Sequence, residues 1–383
     1  MYSFSKPTQF ESDFKNLELL KASEKSYSSD GFFYSQCQSL LKNKTDSQEV
    51  FITPSGTSAL EMMAQIIEFE PGDEVIVPSY TFSSTAMAFL NAGAKLVFVD
   101  VDLLDGCISF NDVVDNVTDR TKALLAVSYG GRLKNQAELH SLAQSKGFIY
   151  LEDNAQSIGR IGASKGIKPV AAMSCISFHS TKNITAGGEG GALIINDASL
   201  LQKAWNVRDK GTNRQQFLSG SVSKYQWTTK GGSHILGEPG CAILASQLQY
   251  VEQVNESRQD IFNQYKKYLL PHLNEHASLM FDDGIPSNGH ICAVILKDAN
   301  LRDRTLEKLR GIRVSAVSHY EPLHNSPASV DYGCSVSKSR CLISTKLSKS
   351  IIRLPSYLGL TESDIVKISS MLVSVISSLE NRR

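Results

Sequence analysis

Residues 58–77, SALEMMAQIIEFEPGDEVIV, join a helical pattern to a strand pattern. The strand part, Glu74–Val77, is short, apolar and rich in β-branched residues, which is typical of a strand buried on both faces. A helix and a strand in this arrangement are the repeating unit of an α/β protein. The helical part is Ser58–Phe69, and the residues that fall on one face of that helix are Leu60, Met63, Ile66 and Ile67.

Further strand patterns of the same kind follow along the chain. Alternation of such strands with helices predicts a mostly parallel sheet covered by helices on both faces. Parallel sheets bind ligands at the carboxyl ends of their strands. The turns after these strands are therefore the first place to look for a functional site. The further strand patterns are Lys95–Val99, Lys122–Val127, Phe148–Leu151, Cys175–Phe178 and Ala192–Ile195.

The composition indicates a folded protein with a sizeable core. The 383 residues are 42% hydrophobic and 20% charged, which excludes a disordered or fibrous chain. Lys plus Arg and Asp plus Glu both number 39, so there is no basic excess that would favour nucleic acid or an acidic membrane surface. Without a signal-peptide pattern or an apolar run of about 20 residues, a cytoplasmic location without membrane attachment is expected.

The cysteines predict free thiols in a reducing compartment. The chain has seven of them with no closely spaced pair, whereas a zinc site or a disulfide framework needs closer spacing. No metal site is expected. The seven residues are Cys37, Cys107, Cys175, Cys241, Cys292, Cys334 and Cys341.

The length suggests a large domain, residues 1–250, followed by a smaller C-terminal α/β domain, residues 251–383. A long helix over Gln249–Leu270 would connect the two. The second domain would contain a strand at Ile291–Leu296, a helix around Asp303–Arg310 and a terminal helix from Thr361. Thr361 precedes Asp364 by three residues, the spacing of a helix N-cap pair.

Two turns carry polar residues that could bind an anion and a cation. Residues 53–58, TPSGTS, place a glycine-containing turn at the start of a helix, where exposed N–H groups and the helix dipole form a phosphate cradle. A plain helix cap is the alternative. Residues 152–156, EDNAQ, directly follow the apolar strand FIYL, and a carboxylate such as that of Asp153 needs a cationic or hydrogen-bonding partner if it is buried there. It would pair with a protonated ring nitrogen, or else cap the next helix from an exposed loop.

Lys182 follows a third strand, in residues 177–191, SFHSTKNITAGGEGG. A lysine that is partly removed from water has a lowered pKa and can form a Schiff base. The glycines after it allow the backbone to approach a ligand closely, although they could also simply shape a hairpin around an exposed lysine. Pyridoxal 5′-phosphate would explain all three segments together, because it has a phosphate, an aldehyde and a basic ring nitrogen.

The same segments resemble the DegT/StrS-type nucleotide-sugar aminotransferases. The resemblance rests on TPSGTSALE, PGDEVIVPSYTFSSTA, LEDNAQS and SFHSTKNITAGGEGG, with KGTNR, KYQW, HYEPLH and RLPSY downstream. It implies the pyridoxal-phosphate-dependent transferase fold type I, which is aspartate aminotransferase-like, and a homodimer with shared active sites. Within the family the resemblance is strongest to the transaminase that makes TDP-4-amino-4,6-dideoxy-D-galactose.

The resemblance implies roles for two catalytic residues. Lys182 would hold the cofactor covalently and, once displaced by the amino donor, move a proton between substrate and cofactor. The related dehydratases carry histidine at this position, so the lysine favours transamination. Asp153 would keep the ring nitrogen protonated. We assign no catalytic role to His179, which strand alternation would bury as a satisfied polar group.

The resemblance also implies cofactor contacts. Gln156 would contact the ring hydroxyl. Gly56 and Thr57 would bind the phosphate through their backbone N–H groups, together with the Ser177 hydroxyl. Phe82 would stack on the ring, although simple core packing explains this residue nearly as well.

The sequence departs from the family pattern at residues 231–242. Residues 232–236, GSHIL, stand where the family usually has an asparagine and an arginine that reach across the dimer interface toward the phosphate. Ser233 could still donate one hydrogen bond there. Pro239 and Gly240 should weaken helix initiation in the following segment. Ser128 occupies a position that is often histidine.

The resemblance further implies the substrates. The enzyme would transfer an amino group from L-glutamate to C4 of a TDP-4-keto-6-deoxyhexose, with pyridoxamine phosphate as the intermediate cofactor form, for O-antigen, lipopolysaccharide or other surface polysaccharide. Candidate sugar-nucleotide contacts are Lys210, Arg214, Tyr320 and His324, for which surface charge and packing are equally good explanations. A C3 aminotransferase, a gluco-specific C4 aminotransferase and a catalytically silent sugar-nucleotide-binding protein remain alternatives.

Overall fold

The computed structural model describes residues 1–23, 28–132, 134–160, 162, 169–273 and 277–380. Its strands are β1 Glu49–Thr53, β2 Glu74–Pro78, β3 Lys95–Val99, β4 Thr121–Val127, β5 Ile149–Asp153, β6 Met173–Ser177, β7 Gly191–Ile195, β8 Ala277–Leu279, β9 Ala293–Leu296, β10 Ser335–Val336 and β11 Ile351–Arg353.

Its α-helices begin with α1 Glu11–Lys21, α2 Phe32–Thr45, α3 Gly56–Ile67, α4 Ser83–Asn91, α5 Phe110–Asn116, α6 Gln136–Lys146 and α7 Leu201–Arg208. They continue with α8 Arg214–Leu218, α9 Glu238–Gln247, α10 Val251–Leu269, α11 Ala299–Gly311, α12 Pro327–Asp331, α13 Leu342–Ser350 and α14 Glu362–Glu380. Short 3-10 turns lie at Tyr129–Gly131, Ala198–Leu200, Leu248–Tyr250, Leu270–His272 and Leu323–Asn325.

The central sheet has the strand order β1-β7-β6-β5-β4-β2-β3-β10. Along this order, every neighbouring pair from β6 through β5, β4, β2 and β3 to β10 is parallel. Strand β7 is antiparallel to both of its neighbours, β1 and β6. The sheet is therefore mostly parallel, as predicted. Strand β7 reverses because the chain between it and β6 contains no crossover helix, which a parallel connection would need.

Alternating side chains of each buried strand pack on opposite faces of this sheet, which explains the continuous apolar runs. In β2, Val75 and Val77 pack with Met63 of α3, whereas Ile76 belongs to a cluster on the other face with Leu139 of α6. Helices on both faces therefore protect the sheet from water, and they leave the carboxyl ends of its strands available for a site.

A second sheet, of order β11-β9-β8, is antiparallel and packs against α10, α11 and α14. Helix α14 begins as predicted, because Thr361 Oγ1 donates to Asp364 Oδ2 at 2.7 Å and accepts from the Asp364 N–H at 3.2 Å. Strand β10 comes from the C-terminal part of the chain but joins the central sheet beside β3. The division at residue 250 stays a prediction.

The structure also reports on membrane spans and thiols. Within the described ranges, no helix is both long enough and apolar enough to cross a bilayer. All seven cysteines are free, and all but the half-buried Cys334 are buried. The prediction of free thiols is therefore confirmed.

The expectation that Pro239 weakens helix initiation is wrong. Helix α9 begins at Glu238, so the proline lies in the first turn, where its missing N–H would have had no intrahelical partner. The buried Glu238 carboxylate caps helix α2, since it accepts from the backbone N–H groups of Phe33 at 2.9 Å and Tyr34 at 2.8 Å. Residues 238–239 therefore stabilise two helix starts.

Glu238→Gln should destabilise the protein by about 1–3 kcal/mol, because the amide NH₂ would face a helix N–H that loses its acceptor. The free energy of unfolding from urea titration measures this effect. Glu18→Gln, at an exposed position of α1, is the matched control and should change it by less than about 0.5 kcal/mol. Equal stability of the two variants would contradict the capping role.

Candidate active site

A cavity of about 460 Å³ lies where β1, β5 and β6 end. These strands run in the same direction, so their carboxyl ends meet at one edge of the sheet. All three segments selected from the sequence reach this cavity, which is closed on the other side by residues 317–320 and 353–356 of the C-terminal part. The sequence-predicted residues that line it are Gly56, Thr57, Phe82, Asp153, Gln156, Ser177, Lys182 and Tyr320.

Lys182 lies in the turn after β6, where its backbone N–H donates to the His179 carbonyl at 2.9 Å. Its side chain is half-buried and faces the cavity. Burial of the ammonium group lowers the pKa of Lys182 to about 8, against the opposing attraction of the Asp153 carboxylate. Burial therefore increases the fraction of the amine that is unprotonated near neutral pH, which favours its action as a nucleophile.

Asp153 ends strand β5 and is buried. Its Oδ2 accepts from Thr85 Oγ1 at 2.8 Å, and its Oδ1 accepts from the Ala155 N–H at 3.1 Å and from Cys175 Sγ at 3.4 Å. All of these neighbours donate, which suits an ionised carboxylate that can only accept. The alternative of an exposed helix cap is therefore wrong for this residue.

The start of helix α3 forms one side of the cavity. Ser55 caps the helix by accepting from the Ser58 N–H at 3.0 Å, and the first helical N–H groups, at Gly56 and Thr57, have no intrahelical acceptor. A Cβ atom at Gly56 would lie 2.9 Å from Ser177 Cβ, so only glycine lets the Ser177 hydroxyl approach the helix start this closely. A phosphate would meet two N–H donors and a hydroxyl here.

Aromatic and amide side chains form another wall. Gln156 Oε1 accepts from the Gly130 N–H at 2.8 Å, and Gln156 Nε2 donates to the Tyr320 hydroxyl at 3.3 Å. Phe82 is 58% exposed, and its ring centroid lies 6.2 Å from that of Tyr320. Its ring is therefore available to a ligand, and the core-packing alternative for Phe82 is wrong.

Four predicted site residues lie outside the cavity. Ser233 and Lys210 are exposed. Arg214 is also exposed and lies 3.7 Å from Asp30. The structure does not bring these three residues to the cavity, and their roles stay predictions. His324 lies within hydrogen-bond distance of Ser79 and Thr345.

Two further sequence interpretations can be compared with the structure. His179 is not buried, because strand β6 ends at Ser177; its Nδ1 lies 2.8 Å from Thr181 Oγ1, at the cavity wall. Ser128 is buried and donates a hydrogen bond to the Asn154 side chain. Neither of these two contacts places an acid or a base beside Lys182.

Sequence reasoning missed several cavity residues. Arg353 and His319 lie in RLPSY and HYEPLH, segments that supported the resemblance, so a signal was present. Arg258 and His290 carry no local signal, because they come from a helix and a loop that reach the cavity only through tertiary packing. Thr85, which holds Asp153, lies in the quoted segment PGDEVIVPSYTFSSTA.

These residues fit pyridoxal 5′-phosphate. The helix start offers donors for the phosphate, the buried carboxylate of Asp153 offers an acceptor for a protonated ring nitrogen, and Lys182 offers an amine for the aldehyde. The tight approach of Gly56 to Ser177 leaves the donors free of side-chain bulk. In the described ranges, no group of three His, Cys, Asp or Glu side chains could hold a metal ion.

Comparisons with known proteins agree with this chemistry. A sequence model of the DegT/DnrJ/EryC1/StrS aminotransferase family matches residues 11–373. The UDP-N-acetyl-3-dehydro-alpha-D-glucosamine 3-aminotransferase of Acidithiobacillus ferrooxidans is 28% identical over 319 residues, which cover 83% of this chain and 82% of that protein. The dTDP-4-dehydro-2,3,6-trideoxy-D-glucose 4-aminotransferase of Saccharopolyspora spinosa is 28% identical over 289 residues, 74% of each chain.

Among solved structures, Helicobacter pylori PseC, an aminotransferase involved in the biosynthesis of pseudoaminic acid, superimposes with a TM-score of 0.89. The two chains are 22% identical, and the match covers 98% of this chain and 99% of that one. Fold and site together define a pyridoxal-phosphate-dependent aminotransferase of fold type I. The chain belongs to the DegT/DnrJ/EryC1/StrS aminotransferase family, and the two relatives named above are aminotransferases of sugar nucleotides.

The lowered pKa of Lys182 can be measured in the protein without cofactor. We expect the ¹³C-dimethylated Lys182 side chain, assigned by its loss in Lys182→Met, to titrate in NMR spectra with a midpoint near 8. Lys15 is the internal control, since its contact with Glu11 raises its pKa above the ordinary value of 10.5. Titration of both side chains above pH 10 would contradict the partial removal of Lys182 from water.

Proposed function

We propose that this enzyme transfers an amino group from L-glutamate to C4 of a TDP-4-keto-6-deoxyhexose. The product would be a TDP-4-amino-4,6-dideoxyhexose, with the galacto configuration favoured, for O-antigen, lipopolysaccharide or another surface polysaccharide. The observation that carries the proposal is one cavity in which Lys182, with its lowered pKa, shares the walls with buried Asp153 and the start of α3. The C4 assignment is supported by the resemblance of the quoted motifs and by the Saccharopolyspora relative, a 4-aminotransferase.

The chain's own residues would divide the chemistry as follows. Bound pyridoxal phosphate supplies an electron sink for the carbon that loses or gains the amino group. Asp153 would hold the proton on the ring nitrogen, which strengthens that sink in the transition state. Lys182, once displaced by the amino donor, would take the proton from the donor's α-carbon and return it on the cofactor side, which suits an amine with a pKa near neutrality.

The remaining contacts fix the cofactor in place. We propose that the N–H groups of Gly56 and Thr57 and the Ser177 hydroxyl bind the phosphate. Phe82 would stack on the ring, and Gln156 would contact the ring hydroxyl. Because Gln156 already bonds the Gly130 N–H, its side chain is pre-oriented for that contact.

The sugar nucleotide would enter over Tyr320, which lines the cavity beside Phe82. Lys210 and Arg214 are exposed outside it, so in a cytoplasmic homodimer they would contact the nucleotide at a shared site, and Ser233 would reach the second subunit's phosphate. Both ring nitrogens of His324 already have hydroxyl neighbours, which favours packing over substrate binding for that residue.

A C3 aminotransferase is the second candidate. It is favoured by the Acidithiobacillus relative, which acts as a 3-aminotransferase and matches a larger share of this chain. The cofactor residues serve both reactions equally, because they contact the cofactor and not the sugar carbon. A gluco-specific C4 aminotransferase would use the same residues as well.

The products made from defined keto-sugars decide between these reactions. With L-glutamate and TDP-4-keto-6-deoxyglucose, NMR of the product should show nitrogen on C4 and an axial C4 amine, the galacto configuration. An equatorial C4 amine would indicate the gluco-specific enzyme. Amination of 3-keto-sugars alone would contradict the proposed substrate. A purified protein that forms no amino sugar from any keto-sugar would support the catalytically silent alternative.

A further inference from the structure

Two buried arginines line the cavity away from the helix start. Arg258, on α10, is 2% exposed, and Arg353, at the end of β11, is 9% exposed. The Nε atoms of both side chains are buried and have no hydrogen-bond partner among the described residues, and neither has the nearby Ser356 hydroxyl. Because both side chains line the cavity, their guanidinium groups can meet an anionic ligand there.

Arg353 is held in one orientation by its neighbours. Its Nη1 donates to His319 Nε2 at 2.6 Å, so the His319 proton is on Nδ1, which donates to the Tyr129 hydroxyl at 2.8 Å. The Tyr80 hydroxyl donates to the His319 carbonyl at 2.5 Å. Burial and the Arg353 charge hold the pKa of His319 well below its usual range, so the ring stays neutral and can accept from the guanidinium.

The Arg258 side chain is held by a backbone carbonyl. Its Nη1 donates to the Ser356 carbonyl at 3.2 Å, and burial followed by the Arg353 charge lowers its pKa to about 10. Within the described ranges, no carboxylate lies within 4.0 Å of either guanidinium. The acidic residues that line the cavity are Asp153, which bonds Thr85, and Glu189, which lies 3.6 Å from His179. Two buried positive charges therefore lack a counter-ion in the described part of the protein.

We propose that Arg258 and Arg353 bind the two carboxylates of the amino donor, and so select a dicarboxylic amino acid. This inference rests on the proposed function. A planar guanidinium matches a carboxylate with two parallel hydrogen bonds, and the pairing would neutralise the charge that each arginine carries into the cavity.

The geometry also assigns the two carboxylates. Arg353 bonds His319, whose ring stacks on that of Tyr320 with the centroids 3.7 Å apart. The Tyr320 hydroxyl in turn accepts from Gln156, the proposed contact of the cofactor ring. Arg258 instead bonds the Ser356 carbonyl. The α-carboxylate lies next to the carbon whose amino group reacts, so it belongs with the arginine whose neighbours reach the proposed cofactor contacts. Arg353 therefore binds the α-carboxylate, and Arg258 binds the distal one.

The donor half-reaction of the holoenzyme tests this assignment without any sugar. L-glutamate and L-glutamine are offered separately, and conversion of the bound cofactor to its pyridoxamine form is followed by absorbance. Glutamine has the same shape as glutamate but no distal charge. Wild-type enzyme should favour glutamate by roughly 100-fold in kcat/KM, the scale for loss of one charged pairing in a buried site.

Substitution of the two arginines should lower kcat/KM for the two donors in different patterns. Arg258→Met should lose roughly 100-fold with glutamate and little with glutamine, which removes the preference. Arg353→Met should lose a similar factor with both donors, and Arg353→Lys should recover part of it, because it keeps the charge without the planar fork. Arg310→Met, at an exposed position of α11, should behave as wild type. The cofactor's absorbance in each variant reports an intact site.

Other outcomes separate the possible anions. If the arginine variants convert glutamate at the wild-type rate but slow amino transfer to the nucleotide sugar, the arginines bind the diphosphate and the inference is overturned. Equal use of glutamate and glutamine by wild-type enzyme would overturn it too. Normal donor half-reactions with no amination at C4 would instead contradict the proposed sugar substrate and leave this inference standing.

Discussion

The enzyme depends on one lysine that is kept partly out of water at the edge of a sheet. An ammonium group in that position is unfavourable, so the pKa of Lys182 falls to about 8 and the free amine becomes accessible. The fold produces this condition because β6 ends at Ser177 and its continuation turns under the C-terminal part of the chain, which brings His290, His319 and Arg353 to the same cavity. The nearby carboxylate of Asp153 limits the shift and provides the site's second charge.

The site also depends on close backbone packing around the start of α3. Besides Gly56 at Ser177, a Cβ atom at Gly191 would lie 2.3 Å from the Ser55 carbonyl oxygen, so β1, β7 and the start of α3 meet where side chains would not fit. This contact sets the helix start against the end of β6. The helix start and the lysine turn therefore follow strands that both pair with β7, so the sheet sets the distance between them.

Much of the fold and of the site could be predicted from the sequence, because the patterns that indicate them are local in the chain. Strands such as Lys95–Val99 are buried on both faces and appear in the sequence as continuous apolar runs. Asp153 ends one such strand, and Lys182 lies in the turn after another. Arg258 could not be predicted, because its position depends on how α10 packs and an isolated arginine on a helix is usually exposed. Glu238 was missed for a similar reason, since the helix it caps lies some 200 residues earlier in the chain. Strand alternation does not bury His179, because the strand ends two residues before it.

The central claim is that Lys182 carries the cofactor, and reduction with borohydride followed by peptide mass spectrometry tests it most directly. The purified protein loaded with pyridoxal phosphate should be yellow, and reduction should leave the pyridoxyl group on the peptide that contains Lys182. Lys182→Ala should carry no label there. A label found on other lysines while Lys182 stays unmodified, or a protein that takes up no pyridoxal phosphate, would contradict the account.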